Sequence, residues 1–379
     1  MYCKQSFNLS PTSPIIAKKT ISYKDNKYDF YNVEKEYLAF DDVMSRTYRS
    51  AIVSNGKLMC LAPAKSIPND HYHSAVVETS ADLLTKIVEG TMINLFWDNN
   101  RETWEIATRK NIGGNYWYFA GTNGEKAATF RDMFLEALRL NSLDELMTDP
   151  DFAFLNKEYS YSFVLQHPKN HLVLFIENPA AYLVHIYHIT QSVEGIQYSF
   201  VKPDTNWGQG RIKYAAESSV IDLTQIGNPL NSPQFVGVMK TNVETGLRTS
   251  FYSEKYLEIK AIRGNNPSLH YQYLMLRKIG KVAEFLGYFP QYVAAFAKFA
   301  EYFDRFKTRL HQLYMDVHVL KKTRLNEILV KRDKYFVEKL HYEVYLPGLA
   351  TFGKMFKVSK GVVMEFLDRE DIMIPMGLE

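Results

Sequence analysis

Four side chains in the first quarter of the chain have the chemistry to act on a phosphate group. Arg49 and Lys65 carry a guanidinium and an ammonium group, which suit phosphate, although each is equally compatible with a surface ion pair. Lys86 and Glu89 follow in the stretch KIVEGT. An unprotonated Lys86 amine is a candidate nucleophile, and Glu89 is a candidate for either a ligand contact or a hydrogen bond to backbone.

Strands and turns must position these residues, because short β-branched and aromatic runs separated by Asn, Gly and Pro extend from residue 47 to about 264. The runs are YRSAIVS, KLMCLA, TMINLFW, TWEIATR, YSFVLQ, HLVLFIE, YLVHIYHI, FVGVMK and YLEIKAI. Neighbouring side chains of a strand point to opposite faces, so Lys86 and Ile87 should not share a pocket unless the strand contains a bulge. We therefore expect Lys86 to be a solvated strand residue.

Two helical patterns complete the chain. The segment KAATFRDMFLEALRL interrupts the strands and should pack one apolar face against a sheet. That face consists of Phe130, Met133, Phe134, Ala137 and Leu138. After RGNNPS, a stripe from Tyr292 to Leu320 predicts one long helix, preceded by a helix that ends near Tyr288 and by Pro290 in the first turn. Its many Phe residues favour a bundle core over a coiled-coil seam.

The composition excludes several classes of protein. Two cysteines among 379 residues cannot build a disulfide framework, which indicates a reducing compartment. The N-terminal residues lack the apolar run of a signal peptide, and no segment reaches the roughly 20 apolar residues of a membrane span. We therefore expect an intracellular protein with no membrane partner. The formal charge of +3 permits an anionic ligand without demanding one.

The order of these segments resembles the covalent nucleotidyltransferase superfamily, and within it the RNA ligases of the phage tRNA-repair type. The likeness covers roughly residues 45 to 265 and is closest to degenerate ligase-like proteins of large DNA viruses. YRSAIVSNGKLMCLAPAKS resembles a paired Arg and Lys signature, and KIVEGTMINLFWD falls at the nucleophile motif. FVLQHPKNHLV, FVGVM and SFYSEKY resemble three later motifs. The resemblance implies an α+β nucleotidyltransferase-like fold of mixed sheets with an inserted helix, followed by an all-α C-terminal domain.

The resemblance also implies a catalytic reaction, but the side chains that this reaction needs are missing from the matching positions. In that family a lysine attacks the α-phosphate of ATP, carboxylates hold metal or ribose, and two further lysines neutralise phosphates. The matching positions here are Ile87, Val164, Val236, Ser250 and Tyr252. Because losing one member of such a unit already abolishes most activity, we expect no catalytic residue, no metal site and no cofactor. The alternative is an RNA ligase that uses ATP and Mg²⁺ through Lys86 in a rearranged site.

Two other groups of residues could bind ligands. His71 and His73 lie on one side of an extended chain, but no third metal ligand is identifiable, so a metal site is not expected. The stretch from residue 298 to 339 has eleven basic residues against six acidic ones, which is compatible with nucleic acid and also with a solvated helix face. The candidate nucleic-acid contacts in this stretch are Lys321, Lys322, Arg324, Lys331 and Arg332.

These patterns predict three segments and one preferred function. Residues 1–45 form an extension of uncertain structure, residues 46–265 a degenerate ligase-like domain, and residues 266–379 a helical domain. We expect a catalytically inactive, RNA-ligase-like viral protein that binds nucleotide through Arg49, Lys65 and Glu89, with RNA or other viral proteins as partners. A virion scaffold without a ligand is a second alternative. The host cytoplasm or the virion is the expected location.

Overall fold

The structure is a computed structural model that describes residues 4–33, 43–68, 71–72, 82–117, 127–170, 172–217 and 234–370. The chain divides into two compact units, residues 1–261 and 262–379. Cys3 and His73 lie outside the described residues. No helix in these ranges is long and apolar enough to cross a membrane.

Strands are the predominant secondary structure in the described residues of the first unit. They are β1 (Gln5–Phe7), β2 (Ile16–Tyr23), β3 (Asn26–Val33), β4 (Ala51–Ser54), β5 (Lys57–Leu61), β6 (Asp82–Lys86), β7 (Thr91–Asp98), β8 (Thr103–Thr108), β9 (Asn111–Ile112), β10 (Tyr159–Gln166), β11 (Ala180–Ser192), β12 (Gly195–Val201), β13 (Ile212–Tyr214), β14 (Gly237–Asn242) and β15 (Arg248–Tyr252). Its helices are α1 (Val43–Thr47), α2 (Phe130–Leu138) and α3 (Glu254–Arg263), the last of which extends two residues into the second unit.

In the part of the unit that the structure describes, the strands form three sheets. The largest has the order β1-β12-β11-β10-β7-β8-β9, with β13 parallel to the start of β11. A four-stranded sheet has the order β2-β3-β4-β5, and a three-stranded sheet has the order β15-β14-β6. Residues before 46, for which the sequence predicts no defined structure, therefore supply β1, β2 and β3.

Apolar side chains cover both faces of the eight-stranded sheet. Helix α2 buries all five of its predicted apolar positions against one face, in a cluster with Ile93, Leu95 and Phe163. The four-stranded sheet covers the other face, where Phe30 and Ile52 pack with Phe96. The predicted contact between the inserted helix and a sheet is confirmed.

Two predicted strands are wrong. Within HLVLFIE, the described residues 172–177 form bends and coil, because the N–H groups of Val173 and Leu174 donate to the Glu89 carboxylate instead of to a neighbouring strand. The run YLEIKAI lies in helix α3, where Tyr256 and Ile259 are buried at helical spacing. Its alternation of apolar and polar residues favoured a strand, but three-residue spacing of the buried positions fits the helix.

The second unit is helical, as predicted. Its helices are α4 (Leu269–Lys278), α5 (Val282–Tyr288), α6 (Val293–Tyr314), α7 (Lys331–Leu340), α8 (Leu346–Phe352) and α9 (Lys360–Arg369). Helix α5 ends at Tyr288 and Pro290 begins a short 3₁₀ turn, both as expected from the sequence. Helix α6 continues as a π-helix over Met315–Val319, so the buried stripe ends with Tyr314 and Val317, and Leu320 is exposed. The fold class, α+β followed by a helical region, is confirmed.

Candidate anion-binding cavity

A cavity of about 1000 Å³ lies in the first unit, between the eight-stranded and the three-stranded sheets. Val164 of β10 and Leu183 of β11 line one side, and Met239 of β14 and Ser250 of β15 line the other. The end of β6 and the residues after it contribute Lys86, Ile87, Val88 and Gly90. The volume is at the upper end of the range typical of small-molecule sites, roughly 300 to 1000 Å³.

Most of the positions singled out by the family resemblance meet in this cavity. Ile87, Val164, Ser250 and Tyr252 all line it, although they are far apart in the sequence. Val236 is buried and does not line the cavity. Two aliphatic groups, one aliphatic hydroxyl and one phenol therefore occupy the positions where an amine, a carboxylate and two ammonium groups are implied.

The cavity is strongly cationic even so. Among the described lining residues, seven are basic: Arg46, Arg49, Lys65, Lys86, Lys202, Arg248 and Lys260. Among the same described lining residues, only Glu217 has a carboxylate. Its Oε1 lies 3.0 Å from the Lys202 ammonium nitrogen. A concave surface with this balance of charge focuses a positive potential and favours an anionic ligand.

The sequence identified three of the seven basic lining residues, Arg49, Lys65 and the candidate nucleophile Lys86, and missed the other four. Arg49 and Lys65 line the cavity, where the sequence predicts a nucleotide site. Arg46 and Arg248 were not among the predicted site residues. The alternation on β15 holds the signal for Arg248, since it stands two residues before Ser250 and therefore on the same face of the strand. Lys260 lies one helical turn beyond Tyr256 on α3, which the sequence assigns wrongly to a strand.

Lys86 and Ile87 both line the cavity, so the expectation that they cannot share a pocket is wrong. The rule of alternation applies inside a strand, and β6 ends at Lys86. Its N–H donates to the carbonyl of Ala216, and the N–H of Ile87 donates to that of Gly237. The Lys86 side chain is exposed, as expected.

Glu89 is a buried structural residue in this arrangement. Its Oε1 accepts hydrogen bonds from the N–H groups of Val173 and Leu174, each at 2.9 Å. Its backbone carbonyl accepts a third from the Gln166 side chain. Glu89 does not line the cavity, so the geometry gives it the backbone-binding role and not the predicted nucleotide contact.

Glycines allow two segments to approach each other closely at the cavity. A Cβ atom on Gly90 would lie 2.3 Å from the carbonyl oxygen of Leu165, and one on Gly237 would lie 2.1 Å from that of Phe251. Gly237 also has a φ of +144°, which side-chain-bearing residues rarely adopt. Both positions therefore require glycine for the starts of β7 and β14 to keep their places.

Aromatic rings form part of the cavity rim. Tyr252 lines the cavity, is 38% exposed and stacks on Tyr256 at a centroid distance of 6.1 Å. The Lys260 ammonium lies over both rings, at 5.8 and 5.5 Å from their centroids. Tyr256 is buried, and its pKa is raised by that burial and by the nearby Glu89 carboxylate. A stacked phenol ring therefore occupies the position at which the resemblance implies a phosphate-neutralising lysine.

The basic residues predicted to contact nucleic acid lie together in the second unit. Lys321, Lys322 and Arg324 are exposed on the segment that follows the first π-helix, and Lys331 is exposed at the first position of α7. Arg332 is partly buried, with its guanidinium 5.0 Å from the Phe306 ring and 3.6 Å from Asp333. The structure therefore groups four of the five predicted residues on one exposed segment.

Within the ranges that the structure describes, no cluster of three or more His, Cys, Asp or Glu side chains could hold a metal ion. His71 is described, but its predicted neighbour His73 is outside those ranges.

Comparisons with known proteins return few relatives. No protein-family model matches the chain, and no curated protein matches it. One solved structure, a lysine-to-alanine mutant of an RNA ligase from Naegleria gruberi with ATP and Mn, matches with a TM-score of 0.31 and 9% identity, covering 69% of this chain and 96% of that one. An apo mutant of a Naegleria gruberi RNA ligase matches with a TM-score of 0.32 and 10% identity, covering 68% and 97%. Likeness at this level carries no argument about fold or function.

Proposed function

We propose that this protein is a catalytically inactive, RNA-ligase-like protein that binds the phosphates of a nucleotide or a nucleic acid in the cavity of its first unit. The observation that carries the proposal is the lining of that cavity, which has seven basic residues against one carboxylate among the described residues. The sequence resemblance supports the same cavity independently, because four of its five altered motif positions converge there.

The donor atoms of the cavity do not fit a carboxylate-held metal ion. Mg²⁺ sites use carboxylate oxygens together with water and substrate phosphates. Of the described lining residues only Glu217 offers a carboxylate, and it already forms an ion pair with Lys202. Glu89, the other acidic residue of the motif region, binds backbone N–H groups. No metal-dependent step is therefore assigned.

A second candidate function is supported by the position of Lys86. Its side chain lines the cavity together with that of Lys65, so two amines reach the region where the nucleophile motif lies. An ATP-dependent RNA ligase with a rearranged site would need one of these amines to attack the α-phosphate. The missing carboxylates and lysines weigh against this candidate, because groups that act as a unit are not replaced singly.

Incubation with ATP labelled at the α-phosphate separates the two candidates. We expect reversible binding of ATP to the wild-type protein and no acid-stable adduct, with Mg²⁺ or Mn²⁺ present. An adduct that disappears in Lys86→Ala or Lys65→Ala would overturn catalytic inactivity and establish the second candidate. Absence of binding to ATP, AMP and single-stranded RNA would overturn the binding function itself.

The exposed basic segment of the second unit supports a separate proposal of RNA contact. In a plot of log affinity for single-stranded nucleic acid against log salt concentration, each phosphate contact contributes about −0.7 to the slope. Replacement of Lys321, Lys322 and Arg324 by Gln should therefore make the slope for RNA binding less steep by about 2, while ATP binding is unchanged. An unchanged slope would show that these side chains are only solvated.

A further inference from the structure

The arginines of the cavity differ in their partners from other arginines of the first unit. Arg101 and Arg131 both bind the buried Glu105 carboxylate, and Arg211 binds two aspartates. Within the described residues, neither Arg49 nor Arg248 forms an ion pair with a carboxylate. Acidic side chains therefore neutralise Arg101, Arg131 and Arg211, whereas no described carboxylate pairs with Arg49 or Arg248.

Arg248 is the more deeply placed of the pair. Its side chain is only 7% exposed and still lines the cavity. One Nη atom donates to the carbonyl of Ala64 at 3.0 Å, and Nε has no hydrogen-bond partner in the described part of the chain. Burial, followed by the positive charge of Arg49, lowers the pKa of Arg248 to about 10. A cation in this position is destabilised unless an anion joins it.

Two walls converge on this place. Arg248 and Ser250 project from the cavity face of β15, and Arg46 and Arg49 come from α1 and the residues just after it. Arg46 donates to the carbonyl of Ser66, so both walls also hold the segment that carries Lys65. The Ser66 and Ser250 hydroxyl oxygens lie 3.3 Å apart in the same lining.

We propose that Arg46, Arg49 and Arg248 bind the terminal phosphate of a phosphomonoester, with the rest of that ligand in the remaining cavity. This inference rests on the proposed function and adds to Arg49 two arginines, Arg46 and Arg248, that the family resemblance does not supply. The resemblance implies positively charged lysines at positions 250 and 252, which are Ser and Tyr here. Arg248 stands two residues before Ser250 on the same face of β15 and supplies a positive charge instead.

The donor set fits phosphate better than carboxylate. A guanidinium fork binds two oxygens, and three forks approaching from two walls match a tetrahedral dianion with three free oxygens. A carboxylate has only two oxygens in one plane. The cavity of about 1000 Å³ also far exceeds an isolated phosphate, and its other walls carry Ile87, Met92 and Leu183, which suit a nucleoside.

Binding of AMP and adenosine to the wild-type protein and to Arg49→Gln, Arg248→Gln and Arg248→Lys tests the site. We expect AMP to bind at least tenfold more tightly than adenosine. Each Gln variant should lose roughly 10- to 100-fold in AMP affinity and little in adenosine affinity, because a charge-assisted contact is lost. Arg248→Lys should recover part of the loss, since it restores the charge without the fork.

Short RNAs with a 5′-phosphate or a 5′-hydroxyl distinguish the two sources of the phosphate. Tighter binding of the 5′-phosphorylated RNA than of AMP, lost in Arg49→Gln, assigns the site to a nucleic-acid end. Tighter binding of AMP assigns it to a free nucleotide. Either result supports the arginine site.

Controls separate this inference from a structural role and from the proposed function. Lys19→Gln removes an exposed lysine of the first unit outside the cavity and should bind AMP normally. Arg248→Gln could destabilise the fold through Ala64, so Arg49→Gln, which has no described hydrogen bond from its side chain, is the decisive variant. AMP affinity that is unchanged in folded Arg49→Gln and Arg248→Gln would overturn the inference and leave the proposed function standing. Failure of every probe to bind wild-type protein would overturn both.

Discussion

The two most basic regions of this protein handle their charge in opposite ways. In the cavity of the first unit, arginines project inward and the described lining offers one carboxylate. In the second unit, basic residues lie on convex helices and pair with acids, as Lys307 does with Asp304 and Lys339 with Glu370. Basic residues in the cavity are thus available to bind an anion, whereas many of those on the helices are already neutralised, although a count along the sequence treats both alike.

This contrast teaches that the surroundings of a charge matter more than its density along the chain. The sequence draws attention to residues 298 to 339, where basic side chains outnumber acidic ones. In the structure, Arg305 pairs with Glu301 on an exposed helix face, and Arg309 pairs with the buried carboxylate of Asp333, so an acidic side chain neutralises each arginine. The stronger case for an anion lies in the first unit, where the basic residues are scattered in sequence and concentrated in space.

The largest difference between the two regions should appear when a methyl group is added to a glycine in each. Gly237→Ala places Cβ against the carbonyl of Phe251 at 2.1 Å, so we expect a loss of about 3 kcal/mol in the unfolding free energy of the first unit. Gly287→Ala is the matched change in α5, where a Cβ meets no atom within 4 Å, and it should stabilise the second unit by up to about 1 kcal/mol.

Denaturant unfolding followed by tryptophan fluorescence measures the first change, since all four tryptophans precede residue 262. Far-ultraviolet circular dichroism follows the helical unit. Equal and small effects of the two substitutions would show that the close approach at Gly237 is not needed, and would weaken the contrast between a constrained cavity and a tolerant helical surface.

Removing one acidic side chain from each region should have an effect of intermediate size. It should destabilise the helical unit in one case and tighten ligand binding to the cavity in the other. Asp333→Asn leaves Arg309 and Arg332 without their carboxylate at the start of α7, and we expect a loss of about 1 to 2 kcal/mol in helical-unit stability. Glu217→Gln removes an exposed partner of Lys202, so it should change stability by less than about 0.5 kcal/mol and tighten AMP binding about two- to fivefold. Weaker AMP binding in Glu217→Gln would contradict the inference that the positive charge of the cavity lining attracts the ligand.

The smallest expected effect is the contribution of one histidine, His318, to the pH dependence of the stability of the helical unit. His318 and His341 stack at 3.9 Å, and burial followed by the charges of His341 and Lys321 lowers the pKa of His318 to about 4. The unfolded chain takes up this proton near pH 6.5, so stability should be full above that pH and fall as pH drops toward 4. Thermal unfolding followed by circular dichroism should show a shallower pH dependence in His318→Gln. An identical slope in that variant would remove His318 as the cause.

Local patterns along the sequence were sufficient for the elements whose burial is regular. Helix α2 has five apolar residues on one face, and the sequence predicts both this face and its packing against a sheet. The boundary after Tyr288 also follows from sequence, because Pro290 cannot continue a helix. The π-helix after Tyr314 does not, since one additional residue in a turn changes the facing of all later positions without changing their residue types.

The site was harder to predict because its parts meet only through tertiary pairing. The family resemblance supplied Arg49, Lys65 and the altered motif positions, and the structure brings most of them into one cavity. The sequence does not predict Arg248 as a site residue, because the pairing of β15 with β14 is what places its side chain in the cavity lining. Glu89 was assigned to a ligand as one alternative, and its true partners lie more than eighty residues away in a segment that the sequence predicts to be a strand.

Strand β11 extends for thirteen residues, and its two halves have different neighbours. The first half carries Leu183 of the cavity and pairs with β13, whereas the second half carries Tyr187 and Ile189 of the packed interior and pairs with β12. One continuous backbone therefore joins the floor of the cavity to the packed interior of the unit. A ligand in the cavity would rest on a strand whose other half is held in place by buried side chains.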